Sequence, residues 1–191
     1  MDDVRDWYNH KLLDRASDSL RSNGFDVSVF DSVDVAVSKV LDLIDSGSEV
    51  GLGGSKTLRE LGIPDSLRDK GFTVFDHWKA GAEGASDEDV LEIRREHLTS
   101  DVFISSSNAI TETGELVNID GIGQRVAAMI FGPKKVIIVA GVNKIVEDVD
   151  EAKKRVKNVA TPMNAKRLGL KPPCTEKGKC LDCKSESRIC N

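Results

Sequence analysis

Four short apolar runs recur along this chain at a spacing that few folds allow: Glu49-Val50-Gly51-Leu52, Phe72-Thr73-Val74-Phe75, Asp101-Val102-Phe103-Ile104-Ser105 and Lys135-Val136-Ile137-Ile138-Val139-Ala140. Each is strand length and rich in β-branched or aromatic residues. Between them lie stretches of helical periodicity, Thr57 to Leu61 with Ser66 to Lys70, Asp87 to Leu98, and Gln124 to Phe131. Strand, helix and strand in this order imply right-handed crossovers, and therefore a mostly parallel sheet covered by helices. Outside that block, Val4 to Arg21 reads as an amphipathic helix stopped at Gly24, Phe25 to Phe30 alternates as a strand does, and Val33 to Ile44 is helical with Ser32 as its cap. Ile110 to Ile119 alternates around Thr113-Gly114 and suits a hairpin. Val149 to Val159 and a short segment near Asn164 to Leu168 close the apolar pattern. The expected organisation is α/β: a domain over residues 1–170 and a Cys-rich tail over residues 171–191.

With 39% hydrophobic and 31% charged residues in 191, the chain can bury one core and is not disordered by composition. No apolar run approaches the ~20 residues of a membrane span. The acidic start, Met1 to Asp6, lacks the basic and apolar regions of a secretion signal. A soluble, cytoplasmic protein is expected. A net charge of -5 argues against broad nucleic-acid binding, which depends on a basic face.

Ligands of an open parallel sheet bind beyond the carboxyl ends of its strands. That rule selects Gly53 to Thr57, Asp76 to Lys79, Ser105 to Asn108 and Gly141 to Lys144. The first loop is the most legible. Gly53 and Gly54 let backbone N–H groups approach a ligand, Ser55 and Thr57 add hydroxyls, and Lys56 adds a charge, so a small anion such as a carboxylate or a phosphate ester is its natural guest. Neither the P-loop nor the dinucleotide fingerprint is satisfied. The competing reading is a capped helix start, with Thr57 and Glu60 as a capping box and Gly62 as the stop. In the hairpin region Asn108, Thr111 and Glu112 are concentrated between apolar strands. Glu112 is the candidate acid, base or nucleophile, and Arg125 can clamp a carboxylate. The alternative is that Glu112 is a solvated turn residue and Arg125 a surface one. Of the histidines, His10 and His97 are expected at the surface, and His77 on a strand-end loop.

All four cysteines, Cys174, Cys180, Cys183 and Cys190, fall in the last eighteen residues with the spacing C-x5-C-x2-C-x6-C. The segment has no apolar material to bury them, and a stapled secreted domain would spread them through the fold. A metal centre supplies the folding energy that such a tail lacks. All-thiolate ligation suits a [4Fe–4S] cluster or zinc, with thiol–disulfide chemistry as a third possibility. Lys171, Lys177, Lys179, Lys184 and Arg188 offset the charge of a thiolate centre.

From Gly53 to Gly62, and again from Ser107 to Gly114 and through Arg125-Val126-Ala127-Ala128, the sequence resembles LUD-domain proteins, the LutC/YkgG-type lactate-utilisation family. Ile130 to Lys135, with the following apolar strand and Gly141-Val142-Asn143-Lys144, carries the same likeness. It extends over roughly Val4 to Leu170. The resemblance implies a NagB/RpiA/CoA-transferase-like, Rossmann-related fold in which the loop matching Gly53 to Thr57 lines a substrate or phosphate site. Longer members take part in oxidising lactate to pyruvate with iron–sulfur partner subunits. The four-cysteine tail departs from the plain LutC pattern and favours a redox-linked variant. The expectation is an iron–sulfur protein that binds a small anionic metabolite in a redox pathway, with a redox partner protein. An isomerase or acyl/CoA transferase using Glu112 with a structural zinc, and a non-catalytic accessory subunit of an oxidoreductase, remain as alternatives.

Overall fold

In the computed structural model, which describes residues 2–191, the elements follow in chain order. They are α1 (Asp2–Ser22), α2 (Val33–Asp42), β1 (Glu49–Leu52), α3 (Lys56–Glu60), α4 (Ile63–Asp69), β2 (Thr73–Phe75), α5 (His77–Ala82), α6 (Asp87–Thr99), β3 (Val102–Ser105), β4 (Ala109–Thr111), β5 (Leu116–Val117), α7 (Gln124–Ile130), β6 (Lys135–Ile138), β7 (Ile145–Val146), α8 (Val149–Arg155), α9 (Thr161–Arg167) and α10 (Cys174–Lys177). Short apolar runs separated by amphipathic stretches thus become alternating strands and helices. The chain forms two compact units. The sheet unit takes residues 30–106 and 123–140, and the hairpin unit takes the chain up to Val29, residues 107–122 and residues 141–191.

The sheet unit is built on four parallel strands in the order β2-β1-β3-β6. Val50 pairs with Val74 on one side and Val102 on the other, and Phe103 pairs with Val136. The two inner strands are covered on both faces, so β3 is buried at all four positions, whereas the outer β2 is half-exposed. Val40, Ile44, Leu52, Leu58, Ile63, Leu67, Ile104 and Ile137 form one core on this sheet. Gly51 is the contact point with α6: a Cβ there would lie 3.0 Å from the His97 Cα and 2.9 Å from Ser100 Oγ. Parallel strands place their carboxyl ends on one edge, where α3 and α5 begin.

In the hairpin unit β4 pairs antiparallel with β5 and parallel with β7. The turn falls at Thr113-Gly114, as the alternation predicts. Gly114 has a φ of +91°, and a Cβ would stand 2.7 Å from the Ser19 carbonyl carbon of α1, so only glycine lets the turn sit against that helix. Asp148 caps α8 by accepting the Glu151 N–H at 2.8 Å. The helix then runs on through a π turn, Val156–Ala160, into α9. Pro162 in the first turn of α9 has no N–H for the preceding turn, and a widened turn accommodates it. The periodicity suggested a helix and a separate segment here; the structure joins them.

Phe25 to Phe30 forms no strand. Phe25, Val29 and Phe30 are 44%, 41% and 37% exposed, and the segment is an extended connector. Period-two alternation specifies an extended backbone, but a strand also needs a ladder partner. No helix among the described residues is long and apolar enough to cross a membrane.

Candidate functional site: a four-cysteine cavity and the strand-end loops

The tail from Pro172 onward has one helical turn, α10, which begins at Cys174 and ends at Gly178 with φ +70°. Beyond it the backbone is irregular and is held by polar ties. Asp182 adopts a left-handed φ of +47°, its N–H donates to Cys180 Sγ at 3.3 Å, and its carboxylate takes the Lys157 ammonium at 2.8 Å. Arg188 donates to the carbonyls of Cys183 at 3.1 Å and Cys190 at 2.8 Å. Asn191 ties back through its N–H to the Asp120 carbonyl at 3.0 Å and through its amide to the Gly121 carbonyl at 2.8 Å. These ties curl the segment around one cavity of about 70 Å³.

All four thiols are free and line that cavity, with Ile119, Pro172 and Ile189 as apolar wall. Cys174 is buried; the other three are partly exposed. Burial first, and then the nearby thiols of Cys183, Cys190 and Cys180, push the Cys174 thiol above its ordinary pKa. The sequence spacing alone does not show that the four are electrostatic neighbours. Among the described residues no three or more His, Cys, Asp or Glu side chains are grouped to hold a single metal ion.

On the sheet unit, the Gly53 N–H donates to the Ile104 carbonyl at 2.9 Å, so it continues the β1–β3 ladder. A Cβ on Gly53 would lie 2.8 Å from Ser105 Cβ, and one on Gly54 2.9 Å from the Trp78 indole nitrogen. Both glycines are close-approach positions. Ser55 is buried and caps α3 by accepting the Leu58 N–H, two residues earlier than the expected capping box. Lys56 is exposed and pairs with Glu60 at 2.9 Å; Thr57 follows it on the same turn. Arg125, in the first turn of α7, is 8% exposed and donates to the Ser106 carbonyl at 3.0 Å.

Asn108, Thr111 and Glu112 belong to the hairpin unit. The Asn108 N–H donates to Asn118 Oδ1 and its own side-chain oxygen accepts the Ile119 N–H, both at 3.0 Å, so Asn108 and Asn118 clasp the two arms of the hairpin. Thr111 is fully buried, and its hydroxyl accepts the Glu115 N–H at 2.8 Å. The Glu112 carboxylate takes the Arg15 guanidinium of α1, and its N–H donates to the Val146 carbonyl at 2.8 Å.

Two features of the sheet unit are missing from the sequence reading. The Asp76 side chain is 3% exposed and receives Arg59 through two N–H groups, Arg68 through one, and the Trp78 and Lys79 amides at 3.2 Å each. Burial acts to raise its pKa, but the Arg59 hydrogen bonds and charge, the Lys79 amide and Arg68 outweigh it and hold the carboxyl at about 2. Arg59 also lies 5.3 Å over the Trp78 ring. Second, His97 is fully buried, with its ring 5.2 Å from His77 and 5.6 Å from Phe103. Among the described residues both His97 ring nitrogens, His77 Nδ1 and Arg94 Nε lack a well-formed hydrogen bond, although the Phe75 backbone lies near enough to act on His97. Burial drives both imidazoles to about 4; the Phe75 carbonyl pulls His97 the other way, and His97 lowers His77 further. The surface position expected for His97 is therefore wrong: it shares the inward face of α6 with Val90, about two turns earlier.

Alternating helices on a parallel sheet, with small residues at the strand ends and a four-cysteine tail, place the chain in the α/β class. Within it, the LUD domain model matches residues 13–191, a span that includes all four cysteines, and the chain belongs to this lactate-utilisation-type family. No curated protein and no solved structure matches it.

Proposed function

We propose that this LUD-domain protein holds a [4Fe–4S] cluster on Cys174, Cys180, Cys183 and Cys190 and binds a small carboxylate or phosphate ester in a redox pathway. The observation that carries the reading is the cavity: four unpaired thiols face one void of about 70 Å³. A single water-sized body needs roughly 10–15 Å³ of such space, so the void suits a polynuclear group better than one ion. Cys174, Cys180, Cys183 and Cys190 would hold the cluster through their thiolates, and it would supply one-electron chemistry. Cys174 closes the buried side. The Asp182 N–H already points at Cys180 Sγ, the kind of hydrogen bond that sets a cluster's potential. Arg188 and Lys157 stand in the wall and oppose the negative charge of thiolates.

For the metabolite, Gly53, Gly54, Ser55, Lys56 and Thr57 lie at the carboxyl end of β1, where parallel sheets take ligands. Lys56, exposed and paired with Glu60, is the charge of this loop, and Arg125 sits at the end of β3. Asn108 and Thr111 order the hairpin, and Arg15 holds the carboxylate of Glu112, the candidate for acid–base work in this reading.

Purification without oxygen tests the central claim. Brown protein with about four irons and four sulfides per chain is expected, with colour and sulfide lost in Cys180→Ser and Cys183→Ser. Colourless protein with one tightly held zinc, or with no metal and an unchanged tail, refutes it.

A further inference from the structure

Charge is distributed very unevenly along the chain. Residues 153–191 carry eleven Lys and Arg against three Asp and Glu, a net of +8, in a protein whose formal net charge is -5. The preceding 152 residues therefore carry -13. Around the cysteine cavity the excess is local. Lys157 and Arg188 stand in its wall, but both are engaged, Lys157 by Asp182 and Arg188 by two backbone carbonyls. Lys177 and Lys179 precede Cys180 and Lys184 follows Cys183; all three are exposed. None of the three makes an ion pair among the described residues. Within the same loop Leu181, between Cys180 and Cys183, is 48% exposed.

An exposed apolar residue flanked in the chain by three unpaired lysines, which outnumber the exposed carboxylates of Glu176 and Glu186, has the anatomy of a protein interface, with an apolar centre and a polar rim. Its sign selects the partner. Clustered lysines repel one another and gain only when an opposite charge arrives, and they raise the encounter rate with an acidic protein. Nucleic acid fits less well, since the other 152 residues carry a large negative charge that opposes a phosphate backbone. We propose that this face is the docking surface for an acidic one-electron carrier protein, steered by Lys177, Lys179 and Lys184 and seated on Leu181. This rests on the reading of the four cysteines as holders of an iron–sulfur cluster. Cys180 and Cys183, the two partly exposed cysteines on either side of Leu181, place that centre next to the docked partner. One electron leaves the carrier, which is oxidised by one, and the cysteine-held centre is reduced by one. No bond or proton moves, and the reverse direction balances equally.

The test titrates oxygen-protected protein, assayed for iron and sulfide, with a strongly acidic plant-type ferredoxin, and reads the equilibrium affinity. Between low salt and about 0.3 M salt the affinity should fall about tenfold or more, as screening shortens the reach of the charges. K177E/K179E/K184E should lose about tenfold or more at low salt, and the milder K177Q/K179Q/K184Q an intermediate amount, each compared with the parent on the fraction of chains that carries iron and sulfide. Leu181→Ala should weaken binding at both salts alike. Iron-loaded charge-reversed protein that binds as tightly as the parent overturns the docking surface and leaves the cluster reading standing. So does a short DNA duplex that binds this face as well as the ferredoxin does. Parent protein devoid of iron and sulfide overturns both, and the metal assay tells that failure apart.

Discussion

The buried imidazole pair makes the stability of the sheet unit depend on pH in a way that can be worked out in advance. His97 and His77 sit at about 4 in the fold, against about 6.5 when unfolded. The native state therefore binds fewer protons than the unfolded state between those values, so stability is fully present above pH 6.5 and declines as pH falls toward 4. A shift of about 2.5 units is worth about 3 kcal/mol per histidine when complete, and about 2 kcal/mol of that is already lost at pH 5. Asp76 does not contribute in this window. Its carboxyl, held at about 2, loses its stabilisation only as pH drops from about 4 toward 2. The perturbation is His97→Phe. It replaces a ring whose two nitrogens make no well-formed hydrogen bond among the described residues by an apolar ring of similar size that packs on Phe103, so it should be near neutral or stabilising at pH 7. Urea unfolding of parent and variant at pH 7 and pH 5 is the assay. The parent should lose about 2 kcal/mol more than the variant between the two, a midpoint difference of roughly 1 M. Background carboxylates titrate alike in both proteins and cancel. Parallel losses would refute the argument, because they would mean that His97 is protonated in the native state without penalty.

Asp76→Asn leaves two guanidinium groups facing an amide in a buried site; a loss of about 3–5 kcal/mol in urea unfolding is expected, and a loss below about 1 kcal/mol would show the clamp to be solvated. Gly53→Ala drives a methyl into Ser105, and about 1–3 kcal/mol of destabilisation should follow; an unchanged midpoint would mean that β1 and β3 part easily there. Lys56→Ala should weaken phosphate or carboxylate binding several-fold in a calorimetric titration, and equal affinity for every anion tried counts against the loop as the anion site. Cys174→Ser, at the buried side of the cavity, should cut the bound iron below the parent's content by more than the same change at the half-exposed Cys190; equal iron in all three proteins would remove both from the ligand set.

Several elements were legible because their signals are local. Val50, Val74, Val102 and Val136 announce strands, Thr113-Gly114 announces a turn, and Gly24 marks a helix boundary whatever lies nearby. Phe25 to Phe30 carries an equally clear alternation and still forms no strand, because a ladder partner is a property of the whole fold. His97 was misplaced for a related reason. Its neighbours Glu96 and Arg95 are polar, and only the approach of β1 at Gly51 shows that α6 turns this residue inward.

The sequence by itself determined the four strands of the parallel sheet with the main helices between them, and the gathering of four thiols into one short polar segment. These follow from periodicity, crossover handedness and spacing, which act over a few residues. Only the tertiary structure decided which polar side chains are spent on structure. It committed Asp76 to two arginines, Asn108 to Asn118 and Arg125 to a carbonyl at a strand end. It also closed Lys157 and Asp182 across the cysteine segment and left Lys177, Lys179 and Lys184 without an ion pair among the described residues. A charged or hydrogen-bonding group looks the same in a sequence whether it is satisfied or available. The partner that distinguishes the two arrives from a distant part of the chain, and its position is fixed by packing.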